Sequence, residues 1–417
     1  MSLTILHIST RLIQGGSQEN TVLSCEGQAA RGHDVHLAFG PIYGPEGSYL
    51  DRASSFRTDD GRAIGCHELP NLVREVAPVK DHRCFHHDLK DLIDAVDPDI
   101  VHTHSSKAGI LGRWAAWRAK KRAGKPLGVV HTIHGPPFMP EVGPRPARWK
   151  ARLKNHLYAR AERFAAARCD TIVSVADAMT DQFRARGIGR PEQFVTVRSG
   201  METGVFLSPA PGEDRDSVRD RLGIDADAFV IGTVARLAEH KGHDDLLDAL
   251  GDELRAHPEW RLLWVGDGWW SDRLAARVDS MGLGDRLIRT GLVAQHEVAP
   301  MMRAMDLLVH PSHREGLPRT VPQALLCGTP VCASDTDGTP EVCLDARRDP
   351  ERGTGCLFGV GDAGALRDAV VWMHENPRAR ARSAAIGRAA CAEMFDADRM
   401  VAALETVYAR SLRPPGC

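Results

Sequence analysis

Short β-branched or apolar runs alternate with helical patterns through both halves of this 417-residue chain. Few folds accommodate such alternation. In the first half strands are expected over 4–8, 35–39, 100–102, 129–133, 171–175 and 195–198, and helices over 17–31, 86–96, 106–121, 145–168 and 177–187. In the second half strands are expected over 229–235, 261–265, 286–290, 306–309 and 330–333, with helices over 241–255, 271–281, 296–304 and 319–327. Right-handed strand–helix–strand crossovers then build parallel sheets covered on both faces. The class is α/β, with two doubly wound domains whose strand ends face a cleft, where ligands of such sheets bind.

Ser208-Pro209-Ala210-Pro211-Gly212-Glu213-Asp214 has linker composition, which sets the boundary near 200–227 and gives domains over 1–205 and 206–395. Beyond residue 362 the pattern is helical to the end, at 364–375, 377–394 and 397–411. Each domain is long enough for its own core. No apolar run approaches the roughly 20 residues of a membrane span. The start, Leu3 to Ile8, reads as a strand and not as a secretory leader, so a cytoplasmic protein is expected. The ten cysteines are scattered without a Cys-x-x-Cys pair, which points to reduced thiols and away from zinc or disulfides. His86-His87, beside Asp88 and Lys90, reads as a solvated helix start.

The side chains that carry chemistry cluster in the second half. Arg236 and Lys241-Gly242 follow its first strand, and fixed cations there would hold a diphosphate as charge builds on it. Gly266-Asp267-Gly268 follows the next strand, where glycine lets backbone approach a ligand. No Gly-x-Gly-x-x-Gly opens a helix, which counts against a nicotinamide enzyme. The most specific segment runs from His310 through Glu315-Gly316-Leu317-Pro318-Arg319-Thr320-Val321-Pro322-Gln323. Pro322 fits the first turn of a helix, leaving the amides of Arg319, Thr320 and Val321 to face an anion. Glu315 is placed to accept hydrogen bonds from sugar hydroxyls. In the first half, Gly15-Gly16 separates a strand from a helix, with Ser17 as a ready N-cap. His134 ends a strand at the same edge and is expected to face the ligand. His102 and His104 end the neighbouring strand, either as structural or as acceptor-lining residues.

With these residues in place, the chain resembles a retaining glycosyltransferase of family 4, built on the GT-B fold. The resemblance rests on Gly15-Gly16, Pro98-Asp99-Ile100-Val101-His102-Thr103-His104, His131-Thr132-Ile133-His134-Gly135, Arg236-Leu237 with Lys241-Gly242, and Glu315-Gly316-Leu317-Pro318. Leu72-Val73-Arg74-Glu75, Pro78-Val79-Lys80-Asp81 and Ser105-Ser106-Lys107-Ala108-Gly109 resemble bacterial members that assemble exopolysaccharide or lipopolysaccharide. The resemblance implies that 1–205 binds the acceptor, that 206–395 binds a nucleotide-sugar donor, and that the helix in 396–417 crosses back to the first domain. In the family signature a second Glu follows the first after seven residues; here that position is Gln323, which keeps one acceptor oxygen for a ribose diol.

The implied reaction moves a sugar from a nucleoside-diphosphate sugar to a hydroxyl acceptor with retention. Arg236 and Lys241 would neutralise the diphosphate, Glu315 would orient the sugar, and His134 would position donor or acceptor. The backbone around Gly15, Gly16, Gly266, Gly268, Gly316, Leu317, Arg319 and Thr320, with the Gln323 side chain, would line the donor. No metal, cofactor or nucleic-acid partner is implied. A nucleotide-sugar epimerase and a catalytically silent nucleotide-sugar-binding subunit are the alternatives.

Net charge is near zero, yet residues 101–170 hold 15 basic against 3 acidic side chains. In 145–168, Trp149, Leu153, Leu157, Ala161 and Phe164 recur at helical spacing among Arg148, Lys150, Arg152, Lys154, Arg160 and Arg163. Two readings stay open. The helix either lies on an anionic membrane surface and presents a lipid-linked acceptor, or packs by its apolar stripe with a solvated basic face.

Overall fold

Two wholly parallel sheets organise the chain. The first contains β1 (Thr4–Ser9), β2 (Asp34–Phe39), β3 (Gly65–Glu68), β4 (Ile100–His104), β5 (Gly128–Ile133), β6 (Thr171–Ser174) and β7 (Phe194–Thr196), in the order β3-β2-β1-β4-β5-β6-β7. The second contains β8 (Phe229–Val234), β9 (Trp260–Val265), β10 (Leu287–Gly291), β11 (Leu307–His310), β12 (Val331–Ser334) and β13 (Gly355–Phe358), in the order β10-β9-β8-β11-β12-β13. The computed structural model describes residues 2–43, 47–122, 124–135, 137–139 and 145–412.

Strand order reverses between β1 and β4 in one sheet and between β8 and β11 in the other. Connections leave a reversal point on opposite faces, so a crevice opens there at the carboxyl ends of the strands. Central strands such as β4 and β5 are buried along their whole length, so the histidines and threonines among their apolar residues must find hydrogen-bond partners inside the protein.

The chain divides into two compact units, one of Met1–Met201 with Ala397–Cys417 and one of Glu202–Asp396. In the first, the helix Ala397–Ser411 sets Met400, Val401, Leu404, Val407 and Tyr408 against Ile5, Leu23, Ile100 and Val130. Gly27 makes room for it, because a β-carbon there would lie 2.6 Å from Val401. The second core gathers Trp260, Trp264, Leu246, Leu250 and Leu307 with Leu366 and Val370 of the helix Ala363–Glu375.

Some elements differ from expectation. β3 and β13 were not anticipated; both are four-residue edge strands, too short to show a period. The expected helix over 86–96 is the last part of a longer helical run: Pro78–Arg83, a π-turn over Cys84–Asp88, then Leu89–Val96. A helix, Arg215–Leu222, lies inside the region expected as linker, capped by Asp214 accepting from the Ser217 amide. Among the described residues no helix is long and apolar enough to cross a membrane, and the cysteines are free thiols.

Candidate functional site

In the second unit, Lys241 and Glu315 follow the two strands that flank the reversal point. Lys241 ends a short 3-10 turn after β8, and Gly242 behind it has φ +71°, a conformation that suits glycine. A β-carbon on Gly242 would meet the Pro311 carbonyl oxygen at 2.0 Å, so the loops after β8 and β11 touch backbone to backbone. That contact brings Lys241 Nζ within 2.6 Å of Glu315 Oε1. His310 Nε2 reaches the same oxygen at 3.0 Å, and its Nδ1 lies 3.2 Å from Thr320 Oγ1. The Glu315 amide donates at 2.8 Å to Oδ2 of Asp337, itself a non-glycine residue held at φ +47°. Such strain persists only where surrounding structure fixes it. Burial alone would raise the Glu315 carboxyl, but the bond and charge of His310 and then the Lys241 ammonium outweigh it and hold it well below the usual carboxylate range.

Gly266 and Gly268 were expected to let backbone approach a ligand. The backbone they admit is that of the neighbouring loop: β-carbons there would lie 2.2 Å from the Ala235 oxygen and 2.3 Å from the Leu237 oxygen. Their amides are also taken, by the Gly291 carbonyl and by Asp267 Oδ1. Gly316 likewise accepts from the Gly338 amide, and Leu317 is buried. The helix Thr320–Leu326 carries Pro322 in its first turn, with Arg319 at the N-cap; Gln323, half-buried, lies on that turn and gives its amide to the Arg319 carbonyl. Arg236 sits 5.6 Å from the centre of the Trp269 ring, an exposed indole that pattern reading passed over.

In the first unit the N-cap before the helix Gly16–Ala30 is Gly15, not Ser17, whose hydroxyl bonds Gln18 instead. The carboxyl ends of β1 and β4 open on a cavity of about 650 Å³, lined in part by Thr10, Arg11, Gln18, Arg74, Lys107 and Tyr158. Arg11 was not singled out in the sequence, and Arg74 and Lys107 entered only through the resemblance; Asp81 lines the same cavity and its Oδ1 accepts from Lys107 Nζ at 2.6 Å. Ser105, at the end of β4, has φ +61° and bonds Thr10 Oγ1 at 2.7 Å.

His134 is half-buried at the end of β5, 3.0 Å from His104 Nδ1. His102 and His104 are buried and face neither solvent nor that cavity's lining. One ring nitrogen from each of His7, His102 and His104 lies within 4.8 Å of the other two, but all six of their ring nitrogens already have hydrogen-bond partners. Their chemistry is support.

The basic helix, Arg145–Ala166, contradicts the reading in which its apolar stripe packs. Trp149 is 66% exposed, Leu153 44% and Leu157 58%, while the buried face consists of Ala151, Ala159, Glu162, Ala165 and Ala166. What anchors the helix is an ion pair with both side chains at 0% exposure, Arg113 Nη2 to Glu162 Oε2 at 2.7 Å.

Comparison with known proteins agrees with this architecture. Residues 15–200 match the model described as a glycosyl transferase 4-like domain, and residues 214–390 match that of glycosyl transferases group 1. The D-inositol 3-phosphate glycosyltransferase of Segniliparus rotundus is 31% identical over 59% of this chain and 53% of its own length. A galactosyltransferase of Escherichia coli, named as acting from UDP-Gal on α-D-GlcNAc-diphosphoundecaprenol, is 27% identical over 81% of this chain and 80% of its own. The crystal structure of Anabaena HepE with UDP and glucose superposes with a TM-score of 0.75 at 19% identity, covering 98% of this chain and 99% of that one. The chain belongs to glycosyltransferase family 4 and is built on the GT-B fold.

Proposed function

We propose that this glycosyltransferase takes a sugar from a nucleoside-diphosphate sugar and delivers it, with retention at the anomeric carbon, to a hydroxyl acceptor in bacterial cell-surface polysaccharide or glycoconjugate synthesis. The observation that carries the reading is the Lys241–Glu315–His310 cluster at the strand-order reversal of the second sheet. As the bond from the anomeric carbon to the diphosphate oxygen breaks, negative charge grows on the diphosphate, and cations already in place stabilise it without reorganising. Lys241 and Arg236 fill that role. Glu315 uses Oε1 for its two partners, so Oε2 is the oxygen that meets a sugar hydroxyl. The acceptor hydroxyl bonds to the anomeric carbon on the face the diphosphate leaves, and its proton passes to a diphosphate oxygen. That scheme uses no side-chain base, no metal ion and no cofactor besides the donor.

The second unit is assigned the donor and the first the acceptor, with His134 orienting one of them. Arg11 and Arg74 in the first unit's cavity, where Lys107 is already paired with Asp81, favour a sugar or lipid-linked sugar acceptor that bears negative charge. The name of the E. coli relative, with its diphosphate-linked lipid acceptor, supports the same class. The exposed stripe of Arg145–Ala166 fits an enzyme on the cytoplasmic face of an anionic membrane.

The test is incubation with UDP-, GDP- and ADP-sugars while free nucleoside diphosphate is measured, since transferases leak donor to water. One donor should be consumed, faster when acceptor is added, and the product anomer should match the donor. Release at the wild-type rate by Lys241→Ala would refute the assignment.

A further inference from the structure

Hydrogen bonds behind His134 form one unbroken chain. His134 Nε2 lies 3.0 Å from His104 Nδ1, His104 Nε2 lies 2.9 Å from His7 Nδ1, and His7 Nε2 lies 2.8 Å from Gln28 Oε1. The other end of the Gln28 amide donates from Nε2 to the Tyr408 hydroxyl at 2.9 Å. Tyr408 Oη is 2.7 Å from His102 Nδ1, and His102 Nε2 is 2.7 Å from Thr132 Oγ1. The members come from β1, β4, β5, the helix Gly16–Ala30 and the helix Ala397–Ser411, all in the first unit.

Chemistry restricts where the protons sit. A neutral imidazole has one N–H and one lone pair, and an amide oxygen only accepts. Burial keeps the imidazoles neutral, pushing His7 down to about 4 and His102 and His104 well below the ordinary range. Because Gln28 Oε1 accepts, His7 carries its proton on Nε2 and offers a lone pair on Nδ1. His104 must then donate from Nε2 and accept at Nδ1, so His134 donates from Nε2. On the other branch Tyr408 accepts from Gln28 and gives its own proton to His102 Nδ1. That sense is favoured, since a phenol is a far stronger acid than an imidazole N–H. His102 then donates to Thr132. If the amide turned over, every proton in the chain would have to change sides.

We propose that Gln28 and Tyr408 are positioning residues: through this chain they fix His134 as the Nε2–H tautomer, so that Nδ1 presents a lone pair to a donor or acceptor hydroxyl. The proposal rests on His134 facing the transferred sugar or its acceptor. It gives the C-terminal helix a role in the site's chemistry besides packing, because Tyr408 holds the amide in one orientation.

Side-chain tautomers can be read directly from long-range 1H–15N correlation spectra of the ligand-free full chain at pH 7.5, assigned with single histidine replacements. Wild type should show Nε2–H for His7, His102, His104 and His134. In Gln28→Leu the His7 N–H loses its acceptor, and a buried unpaired N–H costs more than a bare ring nitrogen. His7 should switch to Nδ1–H, and the reversal should run through His104 to leave His134 as Nδ1–H, with KM for the donor or for the acceptor, whichever His134 meets, raised about tenfold for one lost hydrogen bond. Should Gln28→Leu not fold, Tyr408→Phe frees the amide to take both orientations, and His134 should show both tautomers. An Nδ1–H tautomer of His134 in wild type, or a tautomer unmoved by the folded variant, overturns the proposal. These spectra contain no sugar nucleotide, so a wrong assignment of the reaction would leave them unchanged.

Discussion

Lys241 Nζ donates across 2.6 Å to Glu315 Oε1, tying the loop after β8 to the loop after β11. The ammonium therefore carries a counterion before any substrate arrives. Lys241→Met would leave the Glu315 carboxylate without its lysine counterion, bonded to His310 alone. Turnover should fall by about 100-fold or more, as when one pre-placed charge-stabilising donor is removed. Lys241→Met combined with Glu315→Gln removes both charges, so nucleoside-diphosphate affinity should recover above the single variant while turnover stays low. Calorimetric titration of the three proteins measures this. Equal affinity in the single and double variants would mean that the pair is not coupled at the binding site.

Much of this was legible in local pattern, and the illegible part was long-range. β1, β4, β5 and β8 announce themselves as buried runs, and the helix Pro377–Met394 begins where Pro377 allows. The Glu315 loop stood out because Pro322 marks a first turn. What could not be read was partnership. Lys241 and Glu315 are separated by 74 positions and His7 and His104 by 97, and no spacing rule joins them. The glycines at 266 and 268 were readable as sites of close approach, but only the packed loops reveal that Ala235 and Leu237 are the groups approached. The stripe of Arg145–Ala166 had the period of a core-facing helix. Its exposure follows from a choice made elsewhere, because Arg113 draws Glu162 and a face of alanines inward.

That buried pair has its own consequence. Arg113 also donates to the Gly109 carbonyl at 2.7 Å, and Tyr158 bonds the second Glu162 oxygen at 2.8 Å. Glu162→Ala strands a guanidinium at 0% exposure, which should cost about 3–5 kcal/mol. Replacing both residues, Arg113→Met with Glu162→Leu, should cost much less, because neither charge then needs a partner. Urea unfolding of the two variants checks the difference; similar losses would show that shape, and not charge, holds the helix.

His243 opens the helix His243–Ala256, 1% exposed, with Nε2 3.2 Å from Thr233 Oγ1. Burial pushes its imidazole down to about 4; Lys241 and His310 add to the effect and Asp244 opposes it. Between the ordinary value of 6.5 and about 4 the unfolded chain takes up a proton that the folded chain refuses. Stability from this group is complete above pH 6.5, declines as pH falls through that window, and levels off below it. At pH 5 the loss should be about 2 kcal/mol. Denaturant unfolding at pH 7.5 and pH 5 should show a smaller drop for His243→Asn than for wild type. Parallel drops would place the pH sensitivity in other groups.

The exposed face of Arg145–Ala166 makes the last prediction, one that separates folding from lipid contact. Trp149 and Leu157 are mostly in solvent, so Trp149→Ala with Leu157→Ser should leave the melting temperature within a degree or two, as surface changes of under about 0.5 kcal/mol do. On a bilayer the same two side chains would each bury enough apolar area for about 1.5–2 kcal/mol. Partitioning onto vesicles of phosphatidylglycerol and phosphatidylcholine should therefore weaken by on the order of 100-fold. Raised salt should weaken the wild type too, because Arg148, Lys150, Arg152 and Lys154 lie exposed on the same helix and their attraction to lipid headgroups is screened. Co-sedimentation at low and high salt measures both effects. A wild type that stays in the supernatant at low salt, or a variant that sediments as fully as wild type, would leave the stripe without a lipid role and return the basic surface to solvent.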